Sequence, residues 1–89
     1  MERSHWDDFI TMARLHFGRQ LRLSSGPEAS FVTSVYVVDD DWNSKHVTWD
    51  VHERRVYRTT IVGGKSSKEW DDGRPLDWLN YLVGVVDGL

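Results

Sequence analysis

His46-Val47-Thr48-Trp49-Asp50-Val51-His52 and, three residues further on, Val56-Tyr57-Arg58-Thr59-Thr60-Ile61-Val62 are the two runs that decide the fold class. The first alternates strictly, with Val47, Trp49 and Val51 opposed to His46, Thr48, Asp50 and His52. The second is dense in β-branched and aromatic side chains, and both signals mark β-strands. A one-residue slip between paired strands exchanges their faces, so the pattern itself selects a register. Pairing Val51 with Tyr57, Trp49 with Thr59 and Val47 with Ile61 gives a mostly apolar inner face. The same register sets Asp50 beside Arg58 and Thr48 beside Thr60 on the outer face, both favourable cross-strand pairs. A hairpin with Glu53-Arg54-Arg55 as its loop is expected.

Upstream of this hairpin, Phe31 to Val38 reads as another strand with apolar residues on both faces, as in a central or doubly covered strand. Asp39 to Ser44 is a polar loop. Arg19 to Leu23 fits either a short strand or a continuation of the first helix. That helix is carried by Trp6, Phe9, Ile10, Ala13 and Phe17 at helical spacing, with Ser4 as its cap, Asp7 three residues later, and Gly18 as its stop. Downstream, Gly63 to Gly73 reads as a polar loop containing Trp70. Pro75 suits the first turn of a last helix. Leu76, Leu79, Leu82, Val83 and Val86 form the apolar stripe of that helix, widened by Trp78, Tyr81 and Val85. The expected fold is α+β: a two-layer domain over residues 1–89, with an antiparallel sheet of three or four strands and an N-terminal and a C-terminal helix.

Composition narrows the function classes. The chain has 89 residues, no cysteine and a net charge of −3. Disulfide scaffolds and thiolate chemistry are excluded; no basic-then-apolar signal opens the sequence, and a cytoplasmic protein is expected, with a secreted cysteine-free domain as the alternative. The longest uncharged runs, 29–38 and 78–86, are too short to span a bilayer as helices, so no membrane partner is expected. Arginine and aspartate dominate the charged residues, which favours short, geometrically defined ion pairs. Every tryptophan has an aspartate neighbour: Trp6-Asp7, Asp41-Trp42, Trp49-Asp50, Trp70-Asp71 and Asp77-Trp78. The main reading is tryptophan inward and aspartate outward at the core boundary; the alternative is an exposed acidic-aromatic surface.

No chemical motif is complete. His46 and His52 share a strand face but lie roughly 20 Å apart, and His5 and His16 share a helix face roughly 16 Å apart, so neither pair can hold one metal ion. Asp39, Asp41 and Asn43 match positions one, three and five of a calcium loop, and position twelve falls on Asp50, an aspartate where the bidentate glutamate belongs. Ser44 replaces the turn glycine, however, and the flanks read as strands. Gly63-Gly64-Lys65-Ser66 resembles the end of a phosphate loop, but Thr59 stands where its first glycine belongs. Nothing resembles a nucleophile elbow. No enzyme activity, cofactor or metal is expected.

What remains is recognition. The expected function is that of a small acidic protein-binding module, an inhibitor or accessory protein of the phage-antagonist or toxin-immunity kind, by analogy of size and charge alone. Asp39, Asp40, Asp41 and Trp42, with Glu69, Trp70, Asp71 and Asp72, are the candidate contact residues for a partner with a basic surface, since complementary charge steers association. A homodimer is a second expectation, from an apolar strip of Val32, Tyr36 and Val38 left uncovered if both helices occupy one sheet face. A nucleic-acid accessory role through Arg54, Arg55 and Arg58 is the first alternative, disfavoured by the net charge. A small enzyme or ligand-binding domain is the second.

Overall fold

The computed structural model describes residues 3–86, the side chains of 85 and 86 excepted. Helix α1 spans Arg3–Phe17, followed by a 3₁₀ turn at Gly18–Gln20. Strands β1 (Arg22–Ser24), β2 (Ser34–Val38), β3 (Ser44–Asp50), β4 (Arg55–Val62) and β5 (Lys65–Asp71) follow, and helix α2 spans Pro75–Val86. The strands form one antiparallel meander in the order β1-β2-β3-β4-β5. The fold is therefore α+β with terminal helices, as expected, but the sheet has five strands rather than three or four.

Gly18 ends α1 at φ +56, a left-handed conformation that glycine adopts without the Cβ penalty. The helix already includes Arg3, so Ser4 lies within its first turn and is not its cap. The stretch 19–23 resolves into both alternatives in turn, a 3₁₀ turn and then a short strand. The strand expected over 31–38 begins only at Ser34.

The core lies between one sheet face and the two helices. Trp6, Phe9, Ala13 and Phe17 of α1 and Trp78 and Leu82 of α2 pack on Val35, Val37, Val47, Trp49 and Val56. Trp6 meets Trp49 edge-on at 5.9 Å, and Phe9 meets Trp78 edge-on at 5.5 Å. Such ring pairs add about 0.5–1.5 kcal/mol beyond their burial. The Trp6 indole N–H donates to the Val32 carbonyl at 2.8 Å, tying α1 to the segment before β2. In α2 the buried line runs through Trp78 and Leu82, with Leu79, Tyr81 and Val83 at its margin, while Leu76 is exposed. Val85 and the side chain of Val86 lie outside the described side chains. Among the tryptophans, Trp6, Trp49 and Trp78 are buried, whereas Trp42 and Trp70 are exposed.

The β3–β4 register differs from the expected one. Trp49 pairs with Val56, Val47 with Arg58, Thr48 with Tyr57 and Asp50 with Arg55. Side chains alternate, so Arg58 shares the inner face with Val47 while Asp50 lies on the outer one. The expected Asp50–Arg58 pair does not exist. Two causes act together. Asp50 closes the turn, since its Oδ1 accepts the amides of His52 and Glu53 at 3.0 Å and its carbonyl accepts the Arg54 amide at 2.8 Å. The loop is therefore Val51 to Arg54, and Arg55 already belongs to β4. In addition, α2 packs on β2 and β3. The inner face of β4 beyond Val56 can then be polar. Arg58 binds Glu69 (2.5 Å) and Asp71 (3.4 Å), and its guanidinium lies 4.9 Å from the Tyr81 ring centre.

Strand β5 replaces the loop expected over 63–73. Its sequence, Lys65-Ser66-Ser67-Lys68-Glu69-Trp70-Asp71, carries no apolar alternation. It is an edge strand, held by its ladder to β4, and an edge needs little hydrophobicity and benefits from lysine. The local signal is the pair Gly63 and Gly64, at φ +59 and +80 between Val62 and Lys65. Two consecutive positive φ values make the type I′ turn that joins two-residue hairpins.

Candidate functional site

The sheet has two ends. The β2–β3 and β4–β5 turns lie at one, and the β3–β4 turn and the β5–α2 junction lie at the other. The acidic segments expected to form one contact surface are divided between them. Asp39 to Trp42 sit at the first end, and Glu69 to Asp72 run to the second.

At the first end, Asp39 builds the loop. Its Oδ1 accepts the backbone amides of Asp41 (2.8 Å) and Asn43 (2.9 Å), and its Oδ2 accepts the Asn43 side-chain amide (3.2 Å). The Asp39 amide donates to the Asn43 carbonyl, and the Trp42 amide to the Asp39 carbonyl. Asn43 in turn accepts the Gly63 amide, joining the two turns of this end. Within this frame Trp42 stands at φ +64 with 85% of its surface exposed. A non-glycine residue in the left-handed region costs about 1–2 kcal/mol, and Trp42 returns little of that by burial. Asp40 and Asp41 are exposed beside it. A cavity of about 530 Å³ opens under the indole, lined by Arg22, Tyr36, Val38, Asp39, Asp40 and Trp42.

At the second end the acidic residues are already engaged. Glu69 and Asp71 hold Arg58. Asp72 accepts a two-pronged contact from Arg55, Nε at 3.0 Å and Nη2 at 2.8 Å. Asp72 is held below the usual carboxylate range by that contact, and Arg55 is raised by the same bond. Arg54, Arg55 and Arg58 do not form one basic surface either: Arg58 faces the helix layer, while Arg54 and Arg55 sit at the turn.

The sheet face opposite the helices carries rings that the sequence reading did not assemble. Tyr36 stacks on His46 at 4.7 Å, and Tyr57 meets Trp70 edge-on at 5.7 Å. Lys68 lies 3.9 Å from the Tyr57 ring centre and Arg55 lies 4.4 Å from that of Trp70. Burial lowers the His46 pKa, and its Nε2 hydrogen-bonds the Ser44 hydroxyl at 2.9 Å. Strand parity could have found this set, because all four rings occupy outward positions once the register is known. Val38 shares this face, but Val32 precedes β2 and packs against the core. The uncovered surface is thus a mixed aromatic and charged one.

No cluster of three or more His, Asp or Glu side chains suited to a metal ion occurs among the described residues, and none of their helices is long and apolar enough to cross a membrane. No protein-family model, curated protein or solved structure matches the chain. What the geometry defines is a small α+β domain with one open sheet face and a hydrogen-bonded acidic tip crowned by an exposed tryptophan.

Proposed function

We propose that this chain is a small protein-binding module, an inhibitor or accessory protein of the cytoplasm, that docks through the Asp39–Trp42 tip. The observation that carries the reading is Trp42 itself, held at positive φ and exposed by a loop cross-braced through Asp39. Tryptophan is enriched among the residues that dominate interface energy. A frame that fixes it before binding lowers the ordering cost of association. Asp40 and Asp41 beside it favour a partner whose pocket has a basic rim, and their charge would raise the association rate. Glu69, Asp71 and Asp72 are committed to arginines within the chain, so the reading rests on the tip, with Trp70 as a neighbour on the open face.

The test compares the parent with Trp42→Ala and with Leu15→Ala, a control at an exposed apolar position on α1. Proteins captured from the source cell by the parent are purified, and their affinities are measured by calorimetry. Loss of the tryptophan should weaken binding about 30-fold or more, the effect of a hot spot of at least ~2 kcal/mol. The control should bind like the parent. Equal affinity for parent and Trp42→Ala would remove the tip from the interface.

A further inference from the structure

The sheet face turned away from the helices is crossed by two rows of side chains that the ladders align strand by strand. One row runs Arg22, Tyr36, His46, Thr59 and Lys68, and its neighbour runs Ser24, Ser34, Thr48, Tyr57 and Trp70. Tyr36 and His46 stack with their planes 19° apart, and Tyr57 meets Trp70 at 87°, so each row contributes one cross-strand ring pair. Neither row holds a carboxylate, nor does the next, Val38, Ser44, Ile61 and Ser66. The chain has 14 Asp and Glu residues and a net charge of −3. Yet the strand positions of this face carry only Asp50, whose Oδ1 is taken by two turn amides.

The cations of the face stand at its two edges. Arg22 and Lys68 are exposed, and neither forms an ion pair among the described residues. Lys68 lies 3.9 Å from the Tyr57 ring centre and 5.4 Å from that of Trp70. Arg55 shares the face but is committed within the chain, held by Asp72 and acted on by the Glu53 charge.

We infer that this face binds single-stranded RNA, with bases stacked on the Tyr36–His46 and Tyr57–Trp70 rings and the backbone drawn to Arg22 and Lys68. Rings interleaved with cations suit a flexible polyanion whose every unit has a π-face, and a sheet surface carrying aromatics is a recurring platform for it. An acidic polypeptide would engage the cations and leave the rings unmatched. Five strands about 4.8 Å apart make the face roughly 19 Å across, too wide for the ~12 Å major groove of a duplex. Thr59 lies between His46 and Lys68, and its hydroxyl makes no hydrogen bond among the described residues. A 2′-hydroxyl, both donor and acceptor, matches it, which favours RNA over DNA. At the Arg22 corner a cavity brings Asp39 and Asp40 beside Arg22 and Tyr36. Asp39 is taken by its own loop, so Asp40 is the charge that opposes the strand there.

The experiment is fluorescence anisotropy of a labelled oligoadenylate of about eight ribonucleotides, a length within the range of single-strand sites, titrated with the full chain at low salt. Saturable binding is expected, weakened about fivefold or more in Tyr36→Ala and in Tyr57→Ala. Lys68→Ala should reduce the slope of log affinity against log salt by about 0.7. Lys68→Ala combined with Arg22→Ala changes exposed positions only and carries the test if the ring variants do not fold. The deoxy strand, the duplex and an oligoglutamate of equal charge should each bind more weakly. No saturable binding, parent-like affinity in the folded variants, or equal binding of any of those three probes would overturn the assignment, and equal binding of oligoglutamate would turn it toward an acidic protein. Asp40→Asn with Asp41→Asn should hold the RNA at least as tightly as the parent, whereas the docking reading expects slower association with a basic partner, so the two readings fail separately.

Discussion

The Asp39–Asn43 tip and the Val51–Arg54 tip begin alike. Each follows a strand with an aspartate, Asp39 or Asp50, whose carboxylate accepts amides two to four residues further on. Each contains one non-glycine residue in the left-handed region, Trp42 at φ +64 and Arg54 at φ +53. They differ in what stands at that position and around it. The first presents an indole between free carboxylates; the second borders a cavity that Arg55, Arg74 and His5 also line. The comparison teaches that aspartate hydrogen bonding can set a turn's backbone almost independently of the side chain displayed.

Removing the braces should have the largest effect and should separate the tips. Asp39 makes three side-chain hydrogen bonds and Asp50 makes two. Asp39→Ala is expected to cost about 1–2 kcal/mol and Asp50→Ala about 1 kcal/mol or less, measured by urea unfolding. Equal costs would mean that the Asn43 side-chain link contributes nothing.

Acid should act next, and mainly on the second tip. The Glu53 amide, followed by the His52 amide and the His52 and Lys68 charges, holds the Asp50 carboxyl below its ordinary value. The Arg55 contact does the same for Asp72. The unfolded chain therefore takes up these protons first as pH falls. Their contribution is fully present above the ordinary aspartate pKa of about 3.9 and is lost as pH drops through the native values. Asp50→Asn should flatten the loss of stability below about pH 4. Thermal midpoints between pH 6 and pH 2 would check this, and a slope identical to the parent's would contradict it.

Relieving the strained residues should have a smaller and opposite effect. Trp42→Gly and Arg54→Gly are each expected to raise stability by up to about 1 kcal/mol, because glycine removes the left-handed penalty while adding unfolded-state entropy. A loss at either site would show that the indole or the guanidinium contributes more to folding than its exposure indicates. The smallest change is expected for Asp40→Asn with Asp41→Asn, within about 0.5 kcal/mol in stability. That double variant should slow association with a basic partner and weaken its salt dependence.

Legibility in the sequence followed the same division. The α1 face of Trp6, Phe9, Ala13 and Phe17 and strand β3 could be read from spacing, because burial against a core imposes a period; strand β4 was legible from its β-branched and aromatic residues, and the stop from Gly18. Strand β5 could not, since an edge strand with one face in solvent and a polar inner face leaves no period to read. The Gly63-Gly64 turn was its one local sign. At the candidate sites, the acidic tip was visible as composition. Its separation from Glu69 to Asp72 was not, nor was the row of Arg22, Tyr36, His46, Thr59 and Lys68, because those residues are far apart in the chain.

By itself, then, the sequence determined the two helices, the core face of α1, strands β2 to β4, the absence of cysteine chemistry and the polar character of the Asp39–Asn43 and Val51–Arg54 turns, all of which depend on neighbours within a few positions. Only the tertiary structure decided the β3–β4 register and the face of Arg58. Its sequence neighbours favoured Asp50 as partner, but the Asp50 turn and the placement of α2 over β2 and β3 set it inward, with Glu69 and Asp71 across the ladder. A side chain's partner is a property of distance in space. In this sheet a three-residue change in pairing moved every β4 residue to the other face, and with it the whole distribution of charge.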